Sequence, residues 1–415
     1  MSVMRIARTM SLLLALSLAW PAPVSAAEGD TATSTAVQQA GSNLVAALNL
    51  GLGTTGFDIN NLTPEQQAQL LAMVQANPAL AQMFATTGST IGGQQAGATQ
   101  TVTAEQITAA LSGGTVTPAA LLGTLVRSAV DSSGATDAAT GVAAVVRAAT
   151  RANPDLATSI AVAVSAQYNT PEVRAAAASA AASAASALRP AQAATIATQM
   201  IQALGSEVAP HVVVAATSSA TNTSPALAGE IATGMYSALS AMNATMATNL
   251  LPEMAAAASA AAQARGTNAV NDIASKLGVV LGRDTGAIGL MVAAATQAAG
   301  VEAGSPAYDQ AINSAAASSG VDAGTLAQEV VTAAVIVNDR ISATMAAVVT
   351  TVASLDSVGT ATQQPTTPLP AAANATTQEP TDNATNGTAD NDELPANGTD
   401  DLIAEEEPEP VDSPS

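Results

Sequence analysis

Residues 170–205 decide the fold, and they read TPEVRAAAASAAASAASALRPAQAATIATQMIQALG. Alanine fills most of the first half of this stretch, and alanine has the highest helix propensity of the amino acids. Thr170 can cap a helix, and Pro171 directly after it suits the first helical position. The pattern predicts a helix from Pro171 to Leu188, with a second helix after Pro190.

A capping side chain followed by proline occurs at six further places. Proline costs no hydrogen bond there, because the first N–H groups of a helix have no intrahelical partner. Thr63 with Gln66, and Thr103 with Gln106, add the spacing of a capping box. Each pair predicts the start of a short helix; the six are Thr63-Pro64, Asn77-Pro78, Thr117-Pro118, Asn153-Pro154, Ser224-Pro225 and Ser305-Pro306.

The prolines at 118, 154, 190 and 225 lie 36, 36 and 35 residues apart. Apolar residues keep this register, which predicts core positions at Leu156, Ile160, Val164, Ile196, Met200, Ile231 and Met235. Paired helices are predicted from Asp137 to Thr150 and from Pro210 to Ala220. We therefore expect an all-α fold, an array of short alanine-rich helical hairpins with a period of about 36 residues. The array is α-solenoid-like or, if the proline spacing is coincidental, an irregular bundle.

The core of such a fold must be thin. Of the 415 residues 48% are apolar, but only 1% are aromatic. Burying an alanine methyl contributes roughly 0.8 kcal/mol, against about 1.5–3 kcal/mol for a leucine or phenylalanine side chain. Stability must therefore be summed over many helix contacts, and smooth alanine–serine faces favour self-association.

The chain divides into five regions by composition. Residues 1–26 have the pattern of a secretory signal peptide, with Arg5 and Arg8 before an apolar stretch and Val24-Ser25-Ala26 as a cleavage site. A membrane anchor is the alternative. We expect an N-terminal helical region with glycine-rich loops over 27–102, the helical-hairpin repeats over 103–265 and a C-terminal helical region over 266–358. A disordered acidic Pro/Thr/Asn tail follows over 359–415.

Charge excludes nucleic acid as a partner. Removal of the signal peptide leaves 9 basic and 32 acidic side chains, a formal charge of −23, which repels phosphate. The tail from residue 360 onward holds 12 acidic side chains and no basic one, so we expect disorder and a weak attraction of divalent cations. Its calcium-loop spacing at Asp382, Asn386, Gly387, Asp390 and Glu393 is broken by Ala384. Asn-x-Thr acceptors for glycosylation stand at Asn243, Asn374, Asn383, Asn386 and Asn397.

The catalytic motifs in the sequence are weak. Gly51-Leu52-Gly53-Thr54-Thr55-Gly56 matches a dinucleotide fingerprint, but a helical stretch precedes it where a strand is required. The chain has no cysteine, and His211, its single histidine, is predicted in a first helical turn. Lys276 is the single lysine, and Ser275 beside it faces another side of a helix. We expect no catalytic residue, no cofactor and no metal site.

The apolar segment from Val330 to Leu355 is predicted as a buried final helix pair and not as a membrane span, because Asp339 and Arg340 interrupt it. The sequence as a whole predicts a noncatalytic, exported structural or protein-interaction scaffold that self-associates. It would act in the periplasm, at the cell surface or in an extracellular matrix. One alternative is a carrier of a small apolar ligand or lipid. Another is an ice-binding or surface-coating protein, although its threonines keep no long register.

Overall fold

The computed structural model describes residues 31–52, 57–84, 102–168 and 170–359, which all fall in one compact unit. These residues form α-helices joined by short turns, and no strand occurs among them. The predicted all-α fold class is confirmed. The predicted signal peptide and the acidic tail beyond Gly359 lie outside the described residues, as do Gly53–Gly56 of the glycine motif.

Fifteen complete α-helices are defined over the described ranges. The first eight are α1 (Thr31–Asn49), α2 (Pro64–Ala76), α3 (Ala104–Ser112), α4 (Pro118–Ser132), α5 (Ala138–Ala152), α6 (Ala157–Ser165), α7 (Pro171–Leu188) and α8 (Ala193–Leu204). The others are α9 (Ala209–Thr223), α10 (Ala228–Met242), α11 (Ala244–Ala264), α12 (Val270–Leu281), α13 (Thr285–Ala298), α14 (Pro306–Ser319) and α15 (Ala323–Gly359). The chain is also helical over 78–84.

Most of the predicted helix starts are confirmed by hydrogen bonds at the caps. Thr63 and Thr103 form both bonds of a capping box, and Thr117 and Ser305 each accept one backbone N–H. Asn77 accepts from two N–H groups of the turn after it. These side chains satisfy N–H groups that the helix itself leaves without partners.

Two predicted α-helix starts need correction, and a third lacks the predicted capping bond. Asn153 caps a 3₁₀ turn, Pro154–Leu156, and α6 begins only after that turn. Ser224 also precedes a 3₁₀ turn, Pro225–Leu227, and makes no capping bond. Thr170 does precede α7, again without a side-chain cap. A single 3₁₀ turn keeps the fixed φ of proline and tightens the connection between successive helices.

The helices from α5 onward form two rows. In one row α5, α7, α9, α11, α13 and α15 each pack on the next, and in the other α6, α8, α10, α12 and α14 do so. Helix α1 extends the first row by packing on α5. Successive helices therefore alternate between rows, as in stacked helical hairpins. A strict solenoid period stays a prediction.

Small side chains bring α7 and α9 of the first row close together. The middle of α7 is buried along Ala180–Ser186, and its Ser183 hydroxyl lies 2.7 Å from that of Ser219 on α9. Larger core residues occur in both rows, and Ile160, Met200 and Met235 of the second row are buried as predicted. Methyl groups thus form much of the contact between helices, which accounts for the low aromatic content.

Polar pairs join helices that lie two apart in the chain. The Arg189 guanidinium binds the carboxylate of Asp155, with one N–O distance of 2.9 Å, and Arg174 binds Glu207. On the second row Lys276 Nζ lies 2.7 Å from the Glu230 carboxylate. These pairs are largely exposed, so each contributes at most about 1 kcal/mol.

The last helix departs from its prediction. Helix α15 is one element by its bounds, but a 67° bend between Asn338 and Arg340 divides it into two segments, as expected for the predicted pair; the difference is that the first segment is partly exposed. One side of its first segment is exposed, and among the described residues no helix packs on that side. Among the described residues no single helix is both long and apolar enough to cross a bilayer. The two segments of α15 reach that length and composition only when they are taken together across the bend.

Candidate functional site

One candidate surface is the uncovered side of α15. Leu326, Val330 and Val337 of its first segment are buried. On other sides of the helix Val331, Val335 and Ile336 are 64%, 78% and 55% exposed. We call these three residues the α15 stripe. The segment Ala323–Asn338 holds a single charged residue, Glu329, so the stripe is apolar surface with little charge around it.

The second candidate is a cavity of about 550 Å³ between the first row of helices and the second segment of α15. Alanines of α5, α7 and α9 form much of its wall, and Ala343 and Ala347 of α15 lie on the opposite side. Its charged and imidazole-bearing residues are Arg147, His211, Glu253 and Arg340. We call it the arginine cavity. Cavities of this size accommodate small organic ligands.

A polar anchor holds the second segment of α15 across the row. Arg340 donates to the Glu253 carboxylate of α11 at 2.9 Å and also to the backbone carbonyl of Asn249. Glu253 is mostly buried, with 14% of its side chain exposed. Beyond the anchor, Ile341, Thr344 and Val348 are buried at helical spacing. One face of the segment therefore covers part of the row and forms one wall of the cavity.

Arg147 is the unusual residue of the cavity. Its Nε is buried without a hydrogen-bond partner, and no described residue forms an ion pair with its guanidinium. Burial lowers the pKa of Arg147, because desolvation disfavours the charged form. One turn further along α5, burial and the charge of Arg147 lower the pKa of Arg151 to about 10. Two cations thus stand close together on a partly buried helix face.

His211 lies in the first turn of α9, as the sequence predicted, and its side chain is exposed. It contributes an imidazole to the lining of the cavity. The one carboxylate of the lining, from Glu253, is engaged by Arg340. Within 31–52, 57–84, 102–168 and 170–359, no group of three or more metal-ligating side chains occurs.

The lysine and the glycine motif noted in the sequence lie outside the cavity. The exposed Lys276 pairs with Glu230 and with Asp272, and these contacts raise its pKa. Leu52 of the glycine motif is buried after the end of α1. No site residue was predicted, so Arg147 was missed. Its signal was two arginines four residues apart on a strongly amphipathic helix.

No family model, curated protein or solved structure matches this chain.

Proposed function

We propose that the chain is a noncatalytic, exported scaffold that self-associates through the α15 stripe. The observation that carries the proposal is the exposure of Val331, Val335 and Ile336 on the last helix of the first row. In this row each helix is covered by the next, and within the part of the chain that the structure describes no later helix covers α15. The secretory pattern of residues 1–26 supports action outside the cytoplasm, in the periplasm, at the cell surface or in a matrix.

A second copy of the chain is the partner that fits this surface. The same stripe on a second α15 has the same apolar character, so two copies can pair around a twofold axis. Such pairing continues the helix-on-helix packing by which α13 already covers α15. The formal charge of −21 opposes association, but the low charge of Ala323–Asn338 keeps that repulsion weak at the contact.

Sedimentation velocity of the secreted chain, residues 27–415, tests the proposal. We expect a dimer that a Val335→Asp substitution converts to monomer, because a buried unpaired carboxylate is strongly unfavourable. The matched control is Val279→Asp on α12, which changes a valine of similar exposure, 65%, in the second row. Circular dichroism verifies that both variants keep their helix content.

A monomeric wild type at all concentrations would refute self-association. A dimer that survives Val335→Asp, or that is lost in Val279→Asp instead, would refute the assignment to the α15 stripe.

A further inference from the structure

The arginine cavity contains a cation that the fold leaves without a counter-ion. A partly buried guanidinium without a carboxylate or hydrogen-bond acceptor is costly, and proteins nearly always pair it. Nε of Arg147 is buried and has no acceptor, whereas Arg340 is paired with Oε1 of Glu253, whose other oxygen, Oε2, is buried without a partner. Arg151 one turn away adds a second positive charge and makes the cost larger. The fold therefore keeps this cation at a cost to its own stability.

The local charge is opposite to that of the whole chain. The lining contains Arg147, Arg340 and Glu253, so the sum of these charges is positive, whereas the chain carries −21. A guanidinium presents planar N–H donors that suit a carboxylate or another oxyanion. The cavity thus has the charge and the donors for one small anionic group.

The rest of the cavity favours an apolar body on that anion. Ala139, Ala143, Ala176 and Ala180 of α5 and α7 line one part, and Val214 and Ala215 of α9 another. These side chains offer methyl groups and no charge. A free inorganic anion would leave this surface unused, whereas an alkyl chain would cover it and gain the free energy of burial.

We propose that the arginine cavity binds a small monocarboxylate with an alkyl body. The carboxylate accepts hydrogen bonds from Arg147, and the alkyl chain lies on the alanine wall under the second segment of α15. This site is independent of the α15 stripe, so it adds a ligand to the scaffold without depending on self-association.

Isothermal titration of residues 27–415 with octanoate tests the site. We expect saturable binding with a Kd of about 1 mM or tighter. Arg147→Gln should weaken it by at least about tenfold, the factor expected for loss of a hydrogen bond to a charged group. The matched control, Arg283→Gln, removes an exposed arginine outside the cavity and should bind octanoate as the wild type does. The unfolding midpoint of Arg147→Gln should be no lower than that of the wild type, because the substitution removes an unpaired buried cation.

A second variant separates the alkyl site from the charge. Ala143→Leu fills the wall one turn from Arg147 and should weaken octanoate binding while the guanidinium stays in place. Absence of saturable octanoate binding to the wild type, or equal affinity in Arg147→Gln, would overturn the proposal. If octanol bound as tightly as octanoate, the carboxylate would not be recognised, and the proposal would be wrong. If inorganic phosphate bound as tightly as octanoate, the alkyl chain would contribute nothing, and the proposal would again be wrong.

Discussion

Two glycines of α10 differ in their surroundings and give a direct test of the packing between α10 and α12. A Cβ on Gly229 would lie 2.8 Å from the backbone carbonyl oxygen of Asp272 and would also meet Oδ2 of that residue. The Gly229 N–H donates to the same Oδ2 at 3.0 Å. A Cβ on Gly234 would have no heavy atom within 4 Å. The same substitution, Gly→Ala, should therefore have opposite effects at the two positions.

The expected magnitudes follow from the contacts. In Gly229→Ala, α10 must move by about 0.6 Å to restore ordinary contact, which a close-packed interior resists. Overpacking of this kind costs about 1–3 kcal/mol, and loss of the bond to Asp272 adds about 1 kcal/mol. The higher helix propensity of alanine offsets part of this cost, so we expect the free energy of unfolding to fall by about 2–3 kcal/mol. Gly234→Ala should instead gain about 0.5–1 kcal/mol.

Urea denaturation followed by far-ultraviolet circular dichroism measures both variants against the wild type. Gly229→Ala should unfold at lower urea and Gly234→Ala at higher urea. Hydrogen exchange should place the loss in α10 and α12, because neighbouring helices of an array carry its stability. A Gly229→Ala protein as stable as the wild type would show that α10 and α12 do not approach as closely as the structure places them.

Three further predictions concern a cap, a carboxylate and the α15 anchor. Thr117→Ala should cost about 1 kcal/mol and Ser224→Ala much less, because only Thr117 makes a capping bond; equal urea midpoints would contradict this. Hydrogen bonds from the backbone N–H and the side chain of Thr140 lower the pKa of the Asp137 carboxyl from its ordinary value of 3.8. The ionised carboxylate therefore stabilises the fold fully above pH 3.8, and this contribution is lost as the pH falls through the lowered pKa. Acid titration of Asp137→Asn should show a shallower loss. Arg340→Ala should speed hydrogen exchange over 341–349, and unchanged rates would exclude its anchoring role.

Local chemistry made the helices predictable. The helix from Pro171 to Leu188 has the bounds that the sequence predicts, since alanine propensity and the Thr170-Pro171 start act within a few residues. Six of the seven predicted core positions are buried for the same reason, because helical periodicity alone brings Met200 and Met235 to one face. Leu156, which lies in a 3₁₀ turn, is only partly buried. Capping was less predictable, since proline also fits the 3₁₀ turns that begin at Pro154 and Pro225.

The candidate site depends on contacts that no local pattern contains. Arg340 and Glu253 are 87 residues apart in the chain, and the bend in α15 places them together. In the sequence, Asp339 and Arg340 indicated only a break in an apolar segment. Arg147 likewise looks like a solvated arginine until α5 and α7 are packed and α15 crosses above them.

Methyl-lined helices have a mechanical consequence. Interlocking large side chains resist axial slippage of one helix along another, whereas rows of alanine are nearly smooth and resist it weakly. The hydroxyl pair of Ser183 with Ser219 and the ion pair of Asp155 with Arg189 act at fixed points along α7. These few polar contacts therefore fix the axial register between adjacent helices. They contribute more to this alignment than to the free energy of folding.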